Sequence, residues 1–453
     1  MRLVDKLQGK EIGAVLVQGS FGSFAVKSVG LLAALTSHIL LTRLLGTEGY
    51  GVYCYVISWL TVLVVLAKLG QDASLLRFVP IYHADRNWRA LRGLLGRSNR
   101  LVIFTSLAFS LLLAWVILAQ KQRLDPELKA AFLVGCLLLP LACLLALREG
   151  ALQGLKRVVL AQLPARVLIP AFLAFFVGIF YFLFTHRLTG ATALWCALLA
   201  HAVAFTVSSY WLRRSLPDPL RKCEPLYFSR SWFTVGLGML LVSGQYLIMN
   251  RVDILMLGYL AGKGPVGIYA VAVRLAWLVP FLLEAAGAIA APLISELYAG
   301  NRTGELQRLV HLVILASTVF SAVMVIILVT GGRFFLGIFG PEFTAGYLCM
   351  LVLAAGQLVN SLTGPSGFLL TMTGHERRLG AILFLALALN IVLNYLLIPR
   401  YGILGAAAAT AAVNILFNLA SVILVYRLLG VYSVFGFSHR RFRITEKKGD
   451  RGR

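Results

Sequence analysis

Residues 37–60 read SHILLTRLLGTEGYGVYCYVISWL, and residues 253–276 read DILMLGYLAGKGPVGIYAVAVRLA. A shift of 216 positions lays one over the other, so that Gly46 meets Gly262, Gly51 meets Gly267 and Tyr53 meets Tyr269. The same shift carries Gly22 onto Gly238, Tyr82 onto Tyr298 and Arg92 onto Arg308. The chain reads as one segment of about half its length, written twice. In a membrane protein such repeats form two bundles that rock about a shared site, which points to a transporter.

Composition places the repeats in a bilayer. Of the 453 residues, 59% are hydrophobic and only 13% charged. The mean hydropathy is +0.85. About 20 apolar residues cross a bilayer, and twelve stretches of that order recur: 14–42, 50–79, 100–120, 129–151, 158–184, 190–212, 231–259, 266–295, 308–330, 345–372, 378–398 and 403–429. The first is too long for a signal-peptide core and leads directly into the second, so it is read as retained. Backbone amides in lipid must pair internally and strand alternation is absent, so the stretches are helices. The expectation is an all-α polytopic protein of about twelve membrane helices in two pseudo-symmetric six-helix lobes.

The net charge of +24 raises a nucleic-acid reading, which its distribution rejects. With the N-terminus in the cytoplasm, 29 of the 42 lysines and arginines fall on cytoplasmic segments and 8 on external ones. That asymmetry is the positive-inside rule, and it puts both termini in the cytoplasm. The tail HRRFRITEKKGDRGR adds a basic patch suited to anionic headgroups. The six cysteines are scattered, mostly within spans, and form no metal or CxxC spacing, so they read as small buried apolar residues.

Residues 213–230, RRSLPDPLRKCEPLYFSR, read as a cytoplasmic linker between an N-lobe (1–212) and a C-lobe (231–430), with a basic tail at 431–453. Six helices per lobe give both repeats one orientation, with their axis along the membrane normal. The polar segments after the second and eighth spans read as short surface helices. Prolines 140, 164, 170, 280, 292 and 365 lie within or at the rims of spans, where each can bend its helix.

LLTRLLGTEGYGVY (40–53) and GQDASLLRFVP (70–80) are similar to the opening of polysaccharide-biosynthesis exporters, the Wzx-type flippases of lipid-linked oligosaccharides. RVDILMLGYL, GPVGIYAVAVRL, APLISELYAGNR and LNYLLIPRYGILGAAAATAAVN extend the resemblance over about residues 10–430. It implies two six-helix lobes in a V around a central, cationic cavity. Peptidoglycan-precursor flippases of the same superfamily usually carry fourteen helices. Multidrug exporters share the architecture and are the nearest alternative.

Ionisable residues within spans are costly and are functional candidates. Lys27 lies deep in the first span, Lys68 and Asp72 in the second, Arg251 and Asp253 in the seventh, and Arg274 and Glu284 in the eighth. Lys68 and Asp72 stand four apart and suit an ion pair. The repeat shift maps Lys68 onto Glu284, which suggests an ion pair between lobes that opens and closes with transport. Asp253 is an alternative site for a coupling cation. Lys27, Arg251 and Arg274 have no acid three or four positions away, and guanidinium suits phosphate oxygens. These three are the expected seat of a diphosphate. Arg77, near the cytoplasmic end of its span, reads as a headgroup anchor.

Asn390 and Asn394, like Asn414 and Asn418, share a helix face and read first as helix-to-helix glue. Together with Gln245, Tyr246 and Trp277 they are weaker candidates for glycan contact. Gln357, Asn360, Trp59 and Trp195 belong with the same structural reading. Tyr53 and Tyr269, at the outer ends of spans, read as interfacial belt residues.

The seven histidines are dispersed, the largest external segment is TGGRFFLGIFGPEFTAG, and no phosphate loop, sugar-nucleotide acid pair or zinc spacing is present. A membrane-embedded polymerase or ligase is thus the weakest reading. A drug or cation antiporter predicts an acidic site for its cargo and ranks second. The sequence favours a cofactor-free flippase for a polyprenyl-diphosphate oligosaccharide in a cytoplasmic membrane, with anionic lipids and a polymerase or other assembly protein as partners.

Overall fold

The computed structural model describes the backbone of residues 2–120, 125–183 and 188–435, with side chains from Ala25 onward over nearly all of that range. Every regular element among these residues is helical. They are α1 (Arg2–Ala67), α2 (Gln71–Ala84), α3 (Trp88–Ala119), α4 (Pro126–Gly154) and α5 (Val158–Leu163). A π-helical turn, Pro164–Leu168, joins α5 to α6 (Ile169–Leu183). Next come α7 (Gly190–Ser215), α8 (Pro219–Lys222), α9 (Ser229–Leu260), α10 (Lys263–Ala276) and α11 (Phe281–Ala299). The chain closes with α12 (Thr303–Phe339), a 3-10 turn at Pro341–Gly346, α13 (Tyr347–Leu362), α14 (Ser366–Met372) and α15 (Glu376–Leu429).

Among the described residues, eight helices are long and apolar enough to cross a membrane, or up to ten when each bent pair counts as one span. Two of these are themselves folded back at a glycine. Within α1, Gly46 has φ 65 and ψ −171. His38 Nδ1 lies 3.2 Å from Tyr50 OH, 12 residues on. A straight helix would hold those residues about 18 Å apart. In α15, Gly402 has φ 55 and ψ −129. A Cβ at Gly405 would lie 2.3 Å from the carbonyl oxygen of Leu397, again a reversal. The architecture is compatible with twelve crossings.

The polar segments expected as separate surface helices are helical but continuous with spans: α3 and α12 begin in them, at Trp88 and Thr303. Asn87 caps α3 by accepting from Ala90 N at 3.1 Å, so nothing interrupts the run into lipid. Among the prolines, Pro164 opens the π-turn and Pro280 precedes α11. The basic tail expected at the headgroups lies outside the described residues, apart from its first few positions.

The chain packs as two compact units. One comprises the chain through Ala272 with Gly332–Cys349 and Leu387–Ala406; the other comprises Val273–Gly331, Met350–Ala386 and the chain from Ala407 onward. In the first, α4 is central and contacts α1, α2, α3 and α7. Gly150 and Gly154, one helical turn apart on α4, admit α2 closely: a Cβ at Gly150 would lie 2.5 Å from Asp72 O, and one at Gly154 2.8 Å from Val79 Cβ. Span two is discontinuous. The helix stops at Ala67 and resumes at Gln71, with Leu69 (φ 48) and Gly70 (φ 68) left-handed between them. The left-handed conformation costs a non-glycine such as Leu69 of order 1 kcal/mol or more, and such strain gathers at functional sites. A Cβ at Gly70 would sit 1.9 Å from Gly236 O, so only glycine lets α9 approach the break.

The sequence repeat reappears as geometry inside this first unit. Gly46 and Gly262, equivalent under the shift, both have positive φ (65 and 91) at the turns that open their second helices. Five residues on, the equivalent glycines face each other. A Cβ at Gly51 would lie 1.9 Å from Lys263 O, and one at Gly267 2.2 Å from Thr47 O. Thr47 and Lys263 are themselves related by the same shift. The crossing is therefore pseudo-two-fold.

Tyr53 and Tyr269 flank this crossing and are buried, at 6% and 0% exposure, not set in a lipid belt. Depth along a helix was legible in sequence; the direction in which each ring points was not. At the same end, Lys263 forms an ion pair with Asp125, the N-cap residue of α4. The hydrogen bond from Lys263 holds the Asp125 carboxyl below its usual range. A lowered carboxyl pKa stabilises above the ordinary value near ~3.9 and loses that contribution as pH falls through the folded value. The melting temperature of the protein should therefore fall at acid pH, and the Lys263→Met variant should lack that step. Parallel curves for the two proteins would exclude the link.

Residues 223–227 are stitched onto α3. Arg92 donates to Cys223 O, Leu226 N to Arg89 O at 2.9 Å, and Arg100 Nη2 to Tyr227 OH at 3.2 Å. A Cβ at Gly93 would lie 1.8 Å from Leu226 O.

In the second unit, serines join the helices: Ser321 Oγ donates to Val279 O and to Ser361 Oγ, both at 2.7 Å. Gln307 exchanges hydrogen bonds with the backbone of Tyr432, at 2.8 Å each way. Gly356 lets the last span approach Ala411, and Gly287 admits the ring of Phe368.

Candidate functional site

The breaks in the second spans of both repeats gather the charged side chains. In the first unit, Lys68 lies in the break itself. Its Nζ donates to Asp72 Oδ2 at 2.5 Å, with side-chain exposures of 14% and 25%. The expected pair forms, although the helix between its members is interrupted. The other Asp72 oxygen, Oδ1, is buried without a hydrogen-bond partner. Glu149 on α4 faces the same cavity, and Gln153 Nε2 donates to its Oε1 at 3.1 Å. The cavity, of about 310 Å³, is closed on another side by α9 through Met239, Leu240 and Leu247.

Glu149 is absent from the sequence-derived candidates. It sits in the last turns of α4 beside Arg148, where it reads as rim. The close glycines at 150 and 154 were the available signal that α2 passes beside it.

Asp253 on α9 is 5% exposed. It accepts from Tyr269 OH at 2.6 Å and from Ile254 N at 2.8 Å. Arg251, half-buried, lies within electrostatic reach of it. Lys27 is half-buried in α1. Both Lys27 and Arg251 belong to the first unit.

Arg274 and Glu284 belong to the second unit and flank the break of span eight. There α10 and α11 meet at a bend of 56° across residues 277–280. Arg274 closes α10 in its last turn, and Glu284 lies in the first turn of α11. The Arg274 side chain is half-buried, and its Nη1 is buried with no hydrogen-bond acceptor. Glu284 is exposed.

Of the weaker candidates, Asn390 and Asn394 are buried against each other: Asn394 Nδ2 donates to Asn390 O and Oδ1, both at 2.9 Å. Asn418 treats Asn414 the same way, at 2.9 and 3.1 Å. Tyr246 and Trp277 are exposed and Gln245 is half-buried. Arg77 is exposed near the end of α2, with its guanidinium 5.8 Å from the Phe78 ring.

Residues 16–298 match the polysaccharide biosynthesis protein family, which is more than half of the chain. The chain belongs to that family. Residues 238–396 also match the MatE family. The uncharacterized membrane protein MJ1068 of Methanocaldococcus jannaschii is 23% identical over 379 residues, covering 80% of this chain and 74% of its own length. The probable low-salt glycan biosynthesis flippase Agl15 of Haloferax volcanii is 29% identical over 233 residues, 49% of this chain and 46% of that protein. Against Agl15, then, the chain spans about half the relative's length. Among solved structures, the inward-facing conformation of a multidrug resistance MATE family transporter superposes with a TM-score of 0.73 at 14% identity, covering 95% of this chain and 99% of the other. The polysaccharide biosynthesis family member is thus a multi-pass membrane protein with the fold of the superfamily that joins flippases and drug exporters. Its named likenesses are a multidrug transporter and a probable glycan flippase.

Proposed function

We propose that the protein moves a polyprenyl-diphosphate-linked oligosaccharide from the cytoplasmic to the outer leaflet of a cytoplasmic membrane by alternating access, with both chain ends in the cytoplasm. The observation that carries this reading is Arg274, whose buried Nη1 lacks an acceptor at a broken span. An unsatisfied guanidinium N–H in an apolar surround is costly, and a phosphate oxygen would satisfy it with a charge-assisted bond. Broken spans are where many transporters hold polar cargo, because unwound backbone at membrane depth is tolerated only where protein buries it or where it lines a water-filled cavity. Lys27 and Arg251 are the further phosphate contacts of this proposal. Lys68, Asp72, Asp253 and Glu284 are its gating or coupling groups. Gln245, Tyr246, Trp277, Asn390 and Asn394 are its weaker glycan contacts. The family's link to polysaccharide biosynthesis and the glycan flippase among the relatives support the cargo class.

The MatE match and the likeness to a multidrug transporter favour drug export as the second reading. Reconstitution separates the two. Proteoliposomes carrying the full chain and a fluorescent polyprenyl-diphosphate oligosaccharide are expected to transfer label to the opposite leaflet, where an added enzyme or quencher reaches it. Proteoliposomes that leave the oligosaccharide in place but export a cationic dye would replace the flippase reading with the antiporter one.

A further inference from the structure

The cavity beside the break of span two has an unequal charge inventory. Lys68 is committed to Asp72 at 2.5 Å. Glu149 faces the same space with one neutral donor, Gln153 Nε2 at 3.1 Å. Arg148, its neighbour on α4, points elsewhere: it donates to Asn99 on α3 at 2.9 Å and to Ser209 on α7 at 3.1 Å. Arg213 of α7 lies within electrostatic reach of Arg148. Arg166, exposed on the π-turn, reaches Glu149 only through its field and forms no ion pair with it. From α9 the lining is Met239, Leu240, Gly244 and Leu247, which bear no charge. Among the described residues, one lysine lines the cavity with two carboxylates, Arg166 acts on Glu149 only from outside it, and Asp72 Oδ1 is left without a donor. An ionised carboxylate withdrawn from water needs a partner or a proton. The Asp72 side chain is 25% exposed, so the cavity is not sealed at this point.

We propose that this cavity is a proton-binding site in which Glu149 takes up and releases the proton. The Glu149 carboxylate accepts a proton from hydronium in the cavity to become a carboxylic acid, and it returns that proton to water when the cavity reopens. The acid form gains a donor that the carboxylate lacks, and Asp72 Oδ1 is the acceptor in the cavity that has none. A proton suits the site better than a metal ion: among the described residues no three His, Cys, Asp or Glu side chains converge on one point. Lys68 and Asp72 act as positioning residues that set the field at Glu149. That the proton drives transport rests on the flippase reading; that it binds does not.

The test is infrared titration of the reconstituted full chain between about pH 5 and about pH 9, the range in which a displaced carboxyl titrates. A protonated-carboxyl band that disappears with rising pH is expected. It should be missing in Glu149→Gln, present but shifted in Glu149→Asp, and moved to lower pH in Asp72→Asn, where Lys68 is released to Glu149. Replacing potassium by sodium should leave it unchanged. A band that persists in Glu149→Gln, or that sodium abolishes, overturns the proposal. Oligosaccharide transfer in the same vesicles separates this idea from the cargo reading. A Glu149-dependent band without transfer retains the proton site and removes the cargo. Transfer whose pH profile survives in Glu149→Gln does the reverse.

Discussion

Arg274→Ala is expected to lower oligosaccharide transfer to about one hundredth of its normal rate while leaving the amount of protein in the membrane unchanged. Two charge-assisted bonds lost to a phosphate amount to about 3 kcal/mol or more, and each 1.4 kcal/mol is about tenfold. The stability side of the expectation is as informative as the transport side. Nη1 has no acceptor in the folded protein, so truncation removes an unsatisfied buried donor and breaks no hydrogen bond at that atom. A melting temperature equal to or above that of the unaltered protein should accompany the lost activity. Arg274→Lys keeps the charge without the planar fork and should fall between the two. Normal polymer output in cells that carry only Arg274→Ala would reject the phosphate assignment.

Gly51→Val should carry the largest loss of folding stability of any single substitution at the glycine crossing. Its Cβ would lie 1.9 Å from the backbone oxygen of Lys263, which cannot swing aside as a side-chain tip can. Overpacking typically costs about 1–3 kcal/mol, and a clash with backbone belongs at the upper end. Gly267→Val meets Thr47 O at 2.2 Å in the mirrored position and should cost a similar amount. The two penalties should not add. Either substitution forces the same pair of helices apart, so the second enters a crossing already opened. A double-mutant cycle on detergent-solubilised protein is expected to show coupling of about 1 kcal/mol or more between them. Additive losses would mean that the glycines act at separate contacts.

The repeat was legible because Gly46, Gly51, Gly262 and Gly267 are kept where a left-handed turn and a close crossing demand them, and glycine is the one residue that meets both demands. Spans were legible because hydropathy reports length, and length limits crossings. The Lys68–Asp72 pair followed from spacing alone. What spacing does not carry is azimuth and interruption. Tyr53 and Tyr269 stand at the depth expected of belt residues yet turn inward. The break at residues 68–70 places Leu69 in a conformation for which its side chain gives no signal. Glu149 becomes visible only once α2 is seen lying across Gly150. Nor does spacing say which segments pack together: one compact unit takes in Gly332–Cys349 and Leu387–Ala406 with the chain through Ala272.

That linker has a practical consequence. Because Cys223, Leu226 and Tyr227 are tied to α3, and Gly93 leaves no clearance beneath Leu226, the segment travels with the first repeat as a fixed strap. A fluorophore placed there would report the rotation of α3 and not the slack between halves. A protease site inserted there would be open to solvent but held to α3 by these bonds, and slow to cut for that reason. The first freely bending point for an engineered split of the polypeptide has to be sought elsewhere in the sequence.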